Sequence, residues 1–213
     1  LKTLQFPEIV THLRGAVQKP LPGLLAHKKL APPLRELPSR EGISKYNPKV
    51  AGVLAMIYPI AQLPHICLIK RQEYQGVHSG QISFPGGKMD STDTNTWQTA
   101  LRETEEEVGI HRQQINPIGR LTPLYIPVSN FYVEPYLGFS SKKPLFAIQT
   151  SEVSRVLEVP LNYFENFKQL GSYPVPGFPG FKAPCFEIDD QIIWGATAMV
   201  LSEILHLLDL AKF

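Results

Sequence analysis

The spacing of apolar and polar positions changes period several times along this chain of 213 residues. Phe6, Ile9, Val10, Leu13 and Val17 recur as one face of a helix, and Pro7 suits its first turn. From residue 48 the pattern becomes almost continuously apolar. KVAGVLAMIYPI and HICLIKR predict neighbouring strands of a buried sheet. QISF, FYVEPYLGF and RVLEVPL predict further strands, and CFEIDDQIIWG predicts a hairpin turning at Asp189-Asp190. ATAMVLSEILHLLDL returns to helical spacing, with Val200, Ile204, Leu207 and Leu208 in one stripe. Leu201 and Leu205 add apolar surface on another side, which suits either burial or a homodimer interface.

Proline divides the pattern. Of the 20 prolines, six (Pro20, Pro22, Pro32, Pro33, Pro38 and Pro48) fall between 20 and 48, and predict a connector wrapped over the surface. The stretches 86–116 and 185–213 contain none, so long helices are easiest to place there. Strands bracketed by helices predict an α/β fold with helices packed on a mixed sheet. Residues 1–47 then form an N-terminal helix and proline-rich strap packed on a main domain of 48–213.

Composition narrows the chemistry. A net charge of +2 gives no broad electrostatic case for nucleic acid or an anionic membrane, so any anion recognition has to be local. The two cysteines, Cys67 and Cys185, sit in strand-like runs without a CxxC pair and read as buried free thiols in a reducing compartment. No basic-then-apolar leader opens the chain, and the longest apolar run is too short to span a bilayer and holds Pro59. These features describe a cytoplasmic protein.

The stretch DTNTWQTALRETEEEVG has helix punctuation, with Asp93 as N-cap and Gly109 as a left-handed C-terminal residue. Trp97, Ala100, Leu101, Thr104 and Val108 form the core-facing stripe. Glu103, Glu106 and Glu107 share an arc of about 100° away from that stripe, whereas Glu105 points elsewhere, towards solvent. Arg102 lies one turn before Glu106 and can pair with it. Three converging carboxylates suit Mg²⁺ or Mn²⁺, although a bare acidic run usually just faces water and the spacing alone does not overturn that. SFPGGKMD precedes the helix. Pro85-Gly86-Gly87 predicts a tight turn whose free N–H groups can cradle phosphate oxygens, and Asp90 joins Asp93 as a helix-capping candidate.

Taken together, GGKMDSTDTNTWQTALRETEEEVGI resembles the Nudix box, the signature of the Nudix hydrolases, G-x5-E-x7-R-E-U-x-E-E-x-G-U with U a bulky aliphatic. Arg102, Glu103, Glu106, Glu107, Gly109 and Ile110 match without a gap. The first half is one residue longer, with Asp93 at the early acidic position, and Thr104 replaces the aliphatic residue. The longer loop, FPGGK and IIWGATA are similar to the coenzyme A pyrophosphatase branch. In CLIKRQEYQGVHSGQISFPGG, Arg71, Gly80 and Phe84 to Gly87 match that branch's upstream motif, whereas its second arginine is here Gly76. The resemblance spans residues 48 to 205.

The resemblance implies a Nudix-type α/β/α sandwich and metal-dependent hydrolysis of a pyrophosphate within a small nucleotide substrate. Glu103, Glu106 and Glu107 would hold Mg²⁺ or Mn²⁺, with Arg102 steadying them and Gly86 and Gly87 shaping the loop beneath. Glu152 is the candidate for a further carboxylate acting as base or ligand. For coenzyme A the products would be 4′-phosphopantetheine and adenosine 3′,5′-bisphosphate. Arg71, helped by Lys70 or His78, would meet the 3′-phosphate, and Tyr125 or Phe131 could stack on adenine. The alternatives are another nucleoside diphosphate derivative, such as ADP-ribose or a dinucleotide, or a nucleotide sensor that does not cleave its ligand.

Overall fold

The computed structural model describes residues 5–32, 40–166 and 170–209. Pro33 and Pro38 of the expected strap, and Leu210 of the expected last helix, lie outside them. The chain runs α1 (Phe6–Ala16), α2 (Leu24–Lys28), α3 (Arg40–Ile43), β1 (Lys49–Ile60), β2 (Leu63–Arg71), β3 (Ile82–Ser83) and β4 (Gly86–Lys88). Next come α4 (Thr96–Val108), β5 (Asn116–Arg120), β6 (Leu124–Ile126), β7 (Phe131–Phe139), β8 (Val153–Pro160), β9 (Gly171–Pro174), β10 (Lys182–Ile188), β11 (Gln191–Trp194) and α5 (Gly195–Leu207). Eight strands build a mixed sheet, in which β1 and β7 pair in parallel and the other pairings are antiparallel. A second, three-stranded sheet has the order β11-β10-β9.

The pairing registers explain how a cleft opens in the main sheet. β1 and β2 pair only near their hairpin, from Ile57↔Ile66 to Ile60↔Leu63. Away from the hairpin they part, and the gap is filled from both sides. β4 takes the vacated edge of β1 (Ala51↔Lys88 to Val53↔Gly86), and β3 takes that of β2 (Ile69↔Ser83, Lys70↔Ile82). The hairpin itself turns through Ala61 and Gln62, both at positive φ, the geometry that matches strand twist.

Alternation along β1 divides the core. Leu54, Met56 and Tyr58 pack under α4 with Cys67, Ile69, Ala100, Leu101 and Val108. Ala55 and Ile57 face the other way, against Ile9 and Leu13 of α1 and Val200, Leu201 and Ile204 of α5. The result is helix, sheet, helix, the expected α/β sandwich. α5 is apolar on several sides because nearly all of it is buried inside the chain, so that pattern supplies no argument for a subunit interface. α1 belongs to the core, and α2 shows that the expected strap is partly helical. The hairpin at Asp189-Asp190 forms as read, with Ile188 opposite Gln191. Cys67 and Cys185 are buried and free.

Candidate active site

α4 begins two residues later than its acidic residues suggest. Asn95, not Asp93, is the N-cap: its side-chain oxygen accepts the Gln98 N–H at 3.1 Å. Asp93 belongs instead to a tight turn, where its N–H reaches Asp90 O at 3.1 Å and its carboxylate accepts the Asp90 N–H at 3.0 Å. Asp90 caps that turn through Ser91 and Thr92 rather than the helix. Gly109 ends α4 in the left-handed conformation, as expected. Thr104, at the usual aliphatic position, is fully buried and its hydroxyl donates to Ala100 O at 2.6 Å, so no polar atom is stranded.

Arg102 ties the acidic face together. Its Nε and Nη2 donate to Asp93 at 3.1 and 2.9 Å, and its Nη1 donates to Glu103 at 2.8 Å and Glu106 at 2.9 Å. Nη2 also reaches the Lys88 carbonyl at 3.2 Å, which fixes α4 to β4. These bonds hold the Asp93 carboxyl down to about 2 and keep the guanidinium firmly protonated. Glu105 faces away from this group but is not simply solvated; it accepts Arg112 Nε at 2.9 Å.

Glu107 is buried beneath β4. Its Oε2 accepts the Gly86 N–H at 2.8 Å, and Arg71 Nη1 approaches Oε1 at 3.5 Å. Burial pushes its carboxyl up to about 7 against the pull of those two donors, with Glu103 and Glu152 adding like-charge repulsion. Glu103 is also raised, first by burial. The glycine loop is therefore not the open phosphate cradle that its sequence suggests. Gly86–Lys88 is a strand, and the Gly86 N–H is already committed to a carboxylate. Gly86 has φ +146°, and a Cβ there would strike the Gly52 carbonyl; a Cβ on Gly87 would strike the Glu103 carboxylate.

A cleft of about 860 Å³ opens at the parting of β1 and β2. Arg71, His78, Gly86, Gly87, Glu103, Glu107 and Glu152 all line it. His78 bonds Gln81 at 3.1 Å on the same wall. Glu106, more exposed, lies beside the cleft on Arg102. Lys70 is not brought to the cleft: strand alternation turns it from Arg71 towards Asp190, whose carboxyl it and Arg155 help, behind local hydrogen bonds, to hold low. Phe131 is on the cleft wall, whereas Tyr125 stacks on Tyr46 at 5.6 Å and is not.

Among the described residues, four buried side-chain polar atoms lack a partner, and three of them belong to cleft residues: Arg71 Nε, Ser83 Oγ and Ser129 Oγ. Buried polar atoms are normally paired, so each of these leaves a donor or acceptor unmet within the cleft lining. Ser129 carries no motif that would have announced it, and Ser83 opens the SFPGGKMD stretch, where only the proline, the glycines and Asp90 carried an expectation.

The acidic residues fit a hard divalent ion in kind, being all oxygen and mutually repelling. They are not a preformed cage. Among the described residues no group of three acidic, histidine or cysteine side chains is gathered for a metal, because Glu103 and Glu106 are turned onto Arg102 and Glu107 onto Gly86. No helix among those residues is long and apolar enough to cross a membrane.

The NUDIX domain model matches residues 48–164. An uncharacterized Nudix hydrolase, NudL, from Yersinia enterocolitica is 32% identical over 155 residues, covering 70% of this chain and 78% of its own. A NudL from Pectobacterium atrosepticum is also 32% identical over 155 residues, covering 70% and 79%. A crystal structure of a MutT/nudix family protein from Enterococcus faecalis shares the fold at 17% identity, with a TM-score of 0.54 over 97% of this chain and 76% of that one. With glutamates, arginine and glycines in one cleft of a mixed sheet, the chain belongs to the Nudix hydrolase family.

Proposed function

We propose that the cleft hydrolyses the diphosphate bond of coenzyme A or an acyl-coenzyme A, releasing 4′-phosphopantetheine and adenosine 3′,5′-bisphosphate. Arg71 carries the reading. It reaches the cleft beside Glu107 with its side chain 28% exposed, so the guanidinium has N–H donors to offer a phosphate oxygen. Lys88 is a second cation on the cleft wall.

Glu103, Glu106 and Glu107 would hold Mg²⁺ or Mn²⁺, which when bound offsets the diphosphate charge and acidifies water. Arg102 keeps Glu103 and Glu106 in register with β4 through the Lys88 carbonyl. Water adds to one phosphorus, the bridging P–O bond breaks, and the departing phosphate keeps the electron pair. Glu152, on the cleft wall and close enough to raise Glu103 and Glu107, is our candidate to take the proton of that water.

Gly76 lines the cleft where the coenzyme A motif has its second arginine, which favours ADP-ribose, lacking a 3′-phosphate, as the second reading. The test is turnover of coenzyme A and ADP-ribose with Mg²⁺ or Mn²⁺, for wild type and Glu106→Gln. We expect metal-dependent release of adenosine 3′,5′-bisphosphate, reduced at least about a hundredfold by the substitution. Turnover of ADP-ribose alone would remove coenzyme A and retain the carboxylates.

A further inference from the structure

The segment Val175-Pro-Gly-Phe-Pro-Gly-Phe181 joins β9 to β10 and repeats Pro-Gly-Phe twice. Each repeat closes a turn. The Phe178 N–H donates to Val175 O at 3.1 Å, and the Phe181 N–H donates to Phe178 O at 3.2 Å. Gly177 and Gly180 stand at φ +79° and +83°, as the third residue of a type II turn requires. The Val175 N–H, donating to Phe181 O at 3.0 Å, ties the two turns into one tip. Proline and hydrogen bonds stiffen this tip, yet it leaves Phe178 49% and Phe181 40% exposed.

Both phenylalanines line the same cleft as Glu103 and Glu107. Val77 and Val128, each more than half exposed, line it too, with Ile126, Val175 and Pro176. The side chains of this wall present no donor or acceptor, so they offer a nucleobase stacking alone but offer an apolar chain contact along their whole surface. The same cleft holds carboxylates and Arg71. One ligand that satisfies both kinds of lining is a charged diphosphate bearing an apolar arm, and a volume of about 860 Å³ has room for one.

We propose that the Val175–Phe181 tip is the specificity-determining wall of the site, and that it selects nucleoside diphosphates whose second substituent carries an extended apolar chain. The proposal rests on reading the cleft as a diphosphate site, but not on coenzyme A. The test compares the calorimetric affinity of ADP with that of its β-decyl ester, in chelator so that no ester is cleaved. We expect wild type to prefer the ester by at least about tenfold. In the Phe178→Ser/Phe181→Ser protein the preference should fall to within about twofold, with ADP affinity held. Val128→Ser, on the same apolar wall, should lower it by about threefold and serves if the double variant does not fold.

Equal affinity for the two ligands in wild type, binding of neither, or an equal loss of both in the variant overturns the proposal. So does conversion of a wild-type dimer to monomer with the ester preference intact, which would make the tip an interface. Ester preference without coenzyme A turnover would keep this inference and remove coenzyme A as substrate.

Discussion

At the scale of single residues the acidic face is a problem of charge held by Arg102. Glu103, Glu106 and Glu107 would repel one another across one helical turn, and the guanidinium on the same helix answers two of them. Asp93, from the preceding turn, takes the other side of the fork and is nearly buried. That pairing has a defined pH signature. The Asp93 carboxyl titrates at about 2 in the folded chain against an ordinary value of 3.8, so the folded state binds its proton less readily than the unfolded chain does. Its stabilising contribution is full above the ordinary value and fades as pH falls from about 4 through about 2. Asp93→Asn should therefore lower the melting temperature by a constant amount between pH 7 and 5, and by progressively less below pH 4. Thermal melts of the two proteins across that range check the sign; a gap that widens in acid would contradict it.

At the scale of elements, two glycines on facing strands have separate tasks. Gly52 of β1 meets α4, and a Cβ there would overlap the Thr96 carbonyl, a backbone atom that cannot step aside. Gly87 of β4 meets the Glu103 carboxylate, the end of a side chain that can. Gly52→Ala should accordingly cost about 3 kcal/mol of stability or more by overpacking. Gly87→Ala should leave the melting temperature within a few degrees but displace Glu103 and lower turnover at least about tenfold. Denaturant unfolding and steady-state rates on the two proteins distinguish fold from site. The sequence showed these elements unevenly. β1, β2, β7 and α4 were legible because their apolar periods run for nine residues or more. β4, β5 and β6 were not, since segments such as GGK and NPIGR carry glycine and proline and become strands only by pairing with a distant partner. Of the candidate site, Arg102, Glu103, Glu106 and Glu107 were legible as a group because they lie together on one helix, whereas Arg71 comes beside Glu107 from 36 residues away, through the fold. Asp93 was misread as a helix cap because its true partner, Arg102, lies nine residues on. Lys70 was misread because only pairing of β2 on both edges decides which face each side chain takes.

At the scale of the whole molecule, the matched NUDIX region ends at residue 164 and begins at 48, yet the core extends past both limits. Phe6, Ile9, Val10, Leu13 and Leu30 from the N-terminal side, and the whole buried length of α5 from the C-terminal side, cover one face of the main sheet. α5 in turn supplies Ala196, Thr197 and Val200 to the cleft, so the placement of the N-terminal segment reaches the site. The link is polar and buried. Glu203 of α5 is fully buried and accepts bonds from His27 of α2 at 3.1 Å, and from the Thr122 N–H and hydroxyl at 3.1 and 2.6 Å. Ser202 adds a bond to Ala26 O at 2.9 Å. Three segments distant in sequence therefore converge on one carboxylate, and truncating it strands Thr122 and leaves His27 with no partner for either ring nitrogen. Glu203→Ala should cost about 3–5 kcal/mol, whereas Glu203→Gln, which keeps an acceptor for Thr122, should cost less than half of that. A chain beginning at residue 48 should lose cooperative unfolding, because Ile57, Ile66 and Leu68 would then lose the apolar cover of α1. Urea titrations of the three proteins against wild type check these outcomes: an unchanged midpoint for the shortened chain would show that the N-terminal extension is dispensable to the core.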